Sequence, residues 1–500
     1  MPLVDEPIPG MREWWERYDR GLLRDDADAV RRDLAFRSVR GRGGAMTTKN
    51  GAGFRMFLAL LALATAAACS SNDGTSGDGG CNAAACTTSC RAAGFPAGSC
   101  TGGTCMCSGG DGGTDADADG DADDDAGGGA DDADARPDSP PPGVESFIWI
   151  ANTGEGTLSK VDTFGAIEVA RYLTGANGTG NDPSRTSVNL HGDVVVTNRN
   201  LNAMPGGASS TAKFAANEED CVDRNGSGVI ETSTGPSDVL PWGEDECMIW
   251  SAPIGPPYGA RATVWDGQED PEAGTGGHVW IGTCTWGMGT NYIYKLDGDT
   301  GEVLEQVTLP VSCAYGGAVD GLDGLWIVDN YAPDALIRVD MVALTTERHP
   351  IGLCGYGISV DASGRVWTGG DLCINRYDPA TRTDQSVNVA GTCPGCTMLR
   401  GIAVGSERSG GFVWAADSSG NLVKVDEETV EVVDAVPIGT PDMIGVAVDY
   451  EGFVWTVSQG ANSAYKFDPG DGTFVRVGIG SRPYTYSDMT GVQLHQVIFL

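Results

Sequence analysis

From Glu145 to the C-terminus, apolar and polar residues alternate in short runs broken by glycine- and aspartate-rich turns. Such period-two runs predict half-buried strands rather than helices. Three runs recur as a unit. One copy reads Tyr356-Gly-Ile-Ser-Val-Asp361, then Arg365-Val366-Trp367, then Asn375-Arg376-Tyr377-Asp378. Another reads Ile444-Gly-Val-Ala-Val-Asp449, Phe453-Val454-Trp455 and Tyr465-Lys466-Phe467-Asp468. A fourth run, such as Val432–Ile438, completes each unit. The marker tryptophans Trp149, Trp280, Trp326, Trp367, Trp414 and Trp455 fall on the second run. Between Trp149 and Trp280 there is room for one more unit with an insertion, and Val195 fills the missing place. Four strands every 40–47 residues predict a β-propeller. The first unit opens on its second strand, Phe147-Ile-Trp-Ile150, and Tyr484–Leu494 is expected to supply its inner strand. Closing the ring this way leaves no open sheet edge. The expectation is an all-β, seven-bladed propeller over 145–500, closed by the C-terminal strand.

Upstream the pattern changes. Residues 1–45 balance nine Arg against nine Asp and Glu and read as an extension, non-native or removed. Met46 then opens a segment with Lys49 and Arg55, followed by an apolar run from Met56 to Ala68. That run is too short to span a bilayer and has the length of a secretory h-region. It ends Ala66-Ala67-Ala68-Cys69, which resembles a bacterial lipobox. The resemblance implies a signal peptide over 46–68, lipidation of Cys69, export, and a membrane partner reached through the lipid. Ser70 after the cysteine implies the outer membrane, with 69–80 as a flexible tether.

Composition sharpens this. The net charge of −37 argues against nucleic acid as a partner, which needs a basic face. The 74 glycines and only 20% charged residues argue against a helical bundle or coiled coil and favour short strands joined by tight turns. Fifteen cysteines point to an oxidising compartment. Twelve Asp between Asp111 and Asp138, without a large apolar side chain, make 108–144 an extended acidic linker. No organic cofactor is evident.

Six cysteines, Cys81, Cys86, Cys90, Cys100, Cys105 and Cys107, lie within 81–107. Their spacing, C-x4-C-x3-C-x9-C-x4-C-x-C with Gly98 before Cys100, resembles the cysteine-stabilised αβ fold of defensins. The resemblance implies Cys81–Cys100, Cys86–Cys105 and Cys90–Cys107. The bead would serve as a spacer or binding knob; the cationic surface of a membrane-attacking peptide is missing, since Arg91 is its only charge.

The repeats also resemble the NHL-repeat and virginiamycin B lyase-like propellers. That implies a magnesium-dependent lyase with a histidine base and Gly-x-His-Gly on its inner strands. Here those positions read Ala314-Tyr315-Gly316, Gly355-Tyr356-Gly357, Leu399-Arg400-Gly401 and Met443-Ile444-Gly445, without histidine. The chain's histidines are His191, His278, His349 and His495. Instead, Arg261, Tyr315, Tyr356, Arg400 and Tyr484 are expected at the channel mouth, with Ile444 at the same register. Arginine forks and tyrosines suit a carboxylate, phosphate or sugar. Alternatively they fill the pore and pair with blade carboxylates. The expected function is an exported, lipid-anchored envelope protein whose propeller binds a small molecule, glycan or protein. A metal-dependent lyase and a purely structural envelope protein are the other readings.

The remaining cysteines fall on loops. Cys354 with Cys373 and Cys284 with Cys313 are expected to pair on one face. Cys393-Pro-Gly-Cys396 reads as a turn-closing disulfide, because a redox C-x-x-C would need a thioredoxin-like context. Cys221 and Cys247 flank an insertion in which Asp223, Asn225, Ser227 and Glu231 match calcium-loop positions. Thr234 stands where a bidentate Glu belongs, and Asp245 or Glu246 could complete the shell. Calcium is therefore the candidate cofactor, against a plain Asx-rich hairpin.

Overall fold

The computed structural model describes residues 97–101, 104–108, 146–200, 209–255, 259–331, 333–352, 354–405, 410–486 and 488–499. The lipobox at Cys69, the tether, the acidic linker and the three bead disulfides lie outside these residues. Within the bead, Ala97–Thr101 pairs antiparallel with Thr104–Ser108, setting Cys100 opposite Cys105 and Gly98 opposite Cys107. Among the described residues no helix is long and apolar enough to cross a membrane.

From Ser146 the chain is a seven-bladed β-propeller. Six blades are four-stranded antiparallel sheets, and the first has three strands, Phe147–Asn152, Thr157–Asp162 and Ile167–Leu173. The inner strands of the other six are Pro183–Val188, Ala260–Trp265, Ala314–Val319, Gly357–Val360, Leu399–Val404 and Met443–Val448. The marker tryptophans are wholly buried between blades. Asp320, Asp361 and Asp449 orient three of them, accepting the indole N–H of Trp326, Trp367 and Trp455 at 2.8–3.0 Å. Each also accepts amides of its own hairpin turn, which explains why the aspartate recurs with the tryptophan. In the third blade Asp266 accepts from the amide of His278 and pairs with its ring, leaving the Trp280 indole without a partner.

The ring closes through the C-terminal segment, but not as a regular strand over Tyr484–Leu494. Pro483 bridges Asn152, the Tyr484 amide donates to Ala151, and the Trp149 amide donates to the Met489 carbonyl. The Asp488 carboxylate then accepts the Thr490 and Gly491 amides, and Gly491 adopts φ 81°. Glycine tolerates that left-handed conformation, and the chain turns into a helix, Val492–Phe499. Leu494, Val497 and Ile498 of this helix pack against the apolar cluster containing Val264, Trp265 and Val319. Those three residues are at the ends of inner strands, so the helix covers that end of the channel.

Candidate functional site at the channel mouth

The beginnings of the inner strands carry a recurring irregularity. The register with the second strand shifts between Pro183 and Arg185, Ala260 and Thr263, Ala314 and Gly316, Leu399 and Ile402, and Met443 and Gly445. The residues left over at these bulges include Arg261, Tyr315, Arg400 and Ile444. A bulge re-aims the side chain it carries, here toward the axis. The glycine that follows lets neighbouring blades approach. A Cβ on Gly357 would stand 2.4 Å from the Arg400 carbonyl, and one on Gly445 2.2 Å from that of Thr485.

The expected mouth residues come together. The Tyr484 hydroxyl is a hub, 2.9 Å from that of Tyr315 and 2.7 Å from that of Tyr356. Arg400 donates to the Tyr356 hydroxyl at 2.7 Å and to Ser418 Oγ at 2.7 Å. The Arg261 guanidinium lies 4.7 Å from the Tyr315 ring centre and donates to the Tyr486 hydroxyl at 3.3 Å. The rings of Tyr315, Tyr356, Tyr484 and Tyr486 contact one another at centroid separations of 4.8–5.7 Å.

Two central residues escaped the sequence reading. Arg185 is completely buried, donates twice to the Tyr315 carbonyl, and lies over the Tyr486 ring. It occupies the place that Gly316, Gly357 and Gly445 take elsewhere, ten residues before the second-strand marker; counting back from Val195 would have found it. Tyr486 follows Tyr484 by two residues and therefore shares its side of an extended segment.

Among the described residues no carboxylate forms an ion pair with Arg185 or Arg261. Arg185 Nη1 and Arg261 Nε are buried without any hydrogen-bond partner. Burial holds the Arg185 guanidinium below its usual basicity, and the neighbouring Arg261 charge adds to this. Burial also pushes Tyr315 and Tyr486 up, so both hydroxyls remain donors at neutral pH. Tyrosine faces offset part of the cost of burying two cations, but an unpaired buried charge costs several kcal/mol in general. The cluster therefore combines positive charge, hydroxyl donors and no counterion, which is the chemistry of an anion receptor. Arg400, Tyr356 and Arg261 keep 8%, 6% and 5% exposure, against none for Arg185, so solvent reaches the cluster from the former side.

None of the four histidines stands in this cluster. His191 and His278 pair with Asp220 and Asp266. His349 packs against Trp326 and Tyr377, and burial lowers its basicity. His495 sits in the C-terminal helix and bonds the Leu190 carbonyl.

Disulfides join Cys221–Cys247, Cys284–Cys313, Cys354–Cys373 and Cys393–Cys396. Cys284 and Cys313 share the apolar cluster of Tyr315, Tyr356, Tyr484 and Tyr486, so this bridge backs the mouth directly. In the insertion, Asp223 accepts the amides of Gly226, Ser227 and Gly228, while Asn225 donates its side-chain amide to Glu231. Glu246 accepts the amides of Arg224 and Glu231, and Asp245 those of Ser233 and Cys247. Asp223, Asn225, Ser227 and Glu231 thus share one exposed turn.

No known family profile and no curated protein matches the chain. Among solved structures, a streptogramin B lyase overlaps at TM-score 0.37 and 17% identity, over 45% of this chain and 72% of that one. An inactive virginiamycin B lyase from Staphylococcus aureus with quinupristin overlaps at TM-score 0.37 and 16% identity, over 45% and 73%. Apo AztD from Citrobacter koseri overlaps at TM-score 0.43 and 12% identity, over 69% and 98%. Overlap at this level says nothing about what this chain binds or catalyses.

Proposed function

We propose that the chain is an exported, lipid-anchored envelope protein whose propeller binds a small anionic ligand, a carboxylate or phosphate compound, at the Arg–Tyr channel mouth. The observation that carries this reading is the pair of buried guanidiniums, Arg185 and Arg261, with unpartnered N–H groups and, among the described residues, no carboxylate paired to either. A pore filled only for packing has no use for such residues, because apolar side chains of similar volume fill space without the desolvation cost. An anion would supply the missing charge and accept from the tyrosine hydroxyls. Export and anchoring rest on the Ala66-Ala67-Ala68-Cys69 sequence after its apolar run.

A thermal-shift screen of the full chain tests the binding reading, with dicarboxylates, sugar phosphates and inorganic phosphate against neutral sugars. A ligand at 100 times its Kd adds about 2.7 kcal/mol to stability, so a true ligand raises the melting temperature by several degrees. Anion-selective shifts are the expected result. Equal shifts with neutral sugars, or none with any compound, would count against it. The anchor is tested separately by palmitate labelling in a bacterial host. Label should disappear in Cys69→Ala, and label that persists contradicts lipidation there.

A further inference from the structure

Away from the channel, the second blade brings His191, Asp193 and Asp220 together, with their potential ligand atoms all within 4.8 Å of one another. The hydrogen bonds of the imidazole are chemically informative. His191 Nδ1 lies 3.0 Å from the Pro271 carbonyl, and Nε2 lies 2.9 Å from Asp220 Oδ2. A carbonyl and a carboxylate can only accept. Nδ1 therefore carries a proton, while Nε2 faces both the Asp220 carboxylate and the Asn217 side-chain amide at 3.4 Å, so it donates to the one, accepts from the other or ligates a cation. The last arrangement is how metal-bound histidines are held, with the distal N–H fixed by a carbonyl. Asp193 brings a second carboxylate, which also pairs with Lys213 at 3.0 Å and accepts the Ala216 amide. Next to His191 is a cavity of about 30 Å³, lined also by Gly192, Ala216, Asn217, Phe147 and Tyr450, with room for one or two waters.

We propose that His191 Nε2, Asp220 and Asp193 bind one divalent transition-metal ion, for which zinc is the probe. Donor atoms around a tetrahedral zinc lie about 3.3 Å apart, given metal–ligand bonds of roughly 2.0–2.2 Å. Only a small adjustment of the existing contacts reaches that spacing. One imidazole and two carboxylates suit a borderline ion better than calcium, which takes six to eight oxygens. The ion would tie the second-blade insertion, through Asp220, to the hairpin that carries His191 and Asp193. The site shares no residue with the Arg–Tyr mouth, so the two proposals stand or fall separately.

The test is zinc titration calorimetry on the full chain, stripped with chelator and kept in excess magnesium to occupy the acidic linker. Wild type, His191→Ala and Asp220→Asn are compared, with melting in chelator as the control for folding. Wild type should bind one equivalent tightly, and both variants should lose it or bind at least roughly tenfold more weakly. Cobalt should give a visible absorption band in wild type that both variants lack. If His191→Ala does not fold, Asp220→Asn decides alone, since Asp220 is partly exposed. The absence of a tight equivalent in wild type, or equal binding in wild type and Asp220→Asn, would overturn the proposal.

Discussion

At the residue scale, the propeller depends on polar atoms placed beside apolar ones. Asp449 is wholly buried, accepts from the Trp455 indole and from the Phe453 amide, and lies 3.9 Å from Lys466 Nζ. Burial raises its pKa to about 6, against the partial offset of Trp455 and Lys466. The folded state thus keeps a proton on this carboxyl at pH values where the unfolded chain has lost it. The stability this adds is complete below about pH 4 and is lost as pH rises through about 6. In urea denaturation the stability of wild type should therefore fall relative to that of Asp449→Asn from pH 4 to 7, by on the order of 2 kcal/mol. A difference that stays constant over this range contradicts the assignment. The pairing of aspartate and tryptophan was legible in the repeat, but its purpose was not. Turn chemistry explains the aspartate alone; only the three-dimensional approach of the indole adds the second role.

At the element scale, the same contrast holds. Strand order, blade period and the second-strand tryptophans were readable because half-buried strands alternate apolar and polar residues, while strands buried on both faces leave short apolar runs between turn signals. The bulges were not, since a register shift leaves no period of its own. They nonetheless decide that Arg261, Tyr315 and Arg400 face the axis. Tyr484–Leu494 read as a strand because its first half is extended, whereas Asp488 and Gly491 turn the second half into a helix. Loop chemistry at the mouth is checked by removing one bridge. Cys284→Ala with Cys313→Ala opens a link between residues 29 apart in sequence, for a loss of about 2–4 kcal/mol. Because this bridge packs among the mouth tyrosines, anion binding should weaken together with stability. Guanidinium denaturation and calorimetry on the same sample check both, and unchanged stability would remove the bridge from this account.

At the scale of the whole molecule, the chain's net charge of −37 contrasts with a channel mouth whose buried charges are positive. The acidity says little about the ligand, because the linker from Asp111 to Asp138 carries a dense share of it. A ring of seven blades closed by its own C-terminal segment gives the mouth a rigid frame, and the helix shuts the opposite end. Candidate mouth residues on the glycine-marked strands could be found from sequence. Arg185 was missed because it replaces the glycine that marks the register, and only its spacing of ten residues before Val195 gives it away. The central claim is that the mouth arginines are kept for an anion and not for packing. Arg261→Met tests it most directly, by thermal melting with and without the best anion of the screen. Arg261 has one long hydrogen bond and an unpartnered Nε, so its loss should leave the anion-free melting temperature unchanged or higher. The anion-dependent rise should disappear. A variant that melts several degrees lower without anion, yet keeps the full rise with it, would contradict the account.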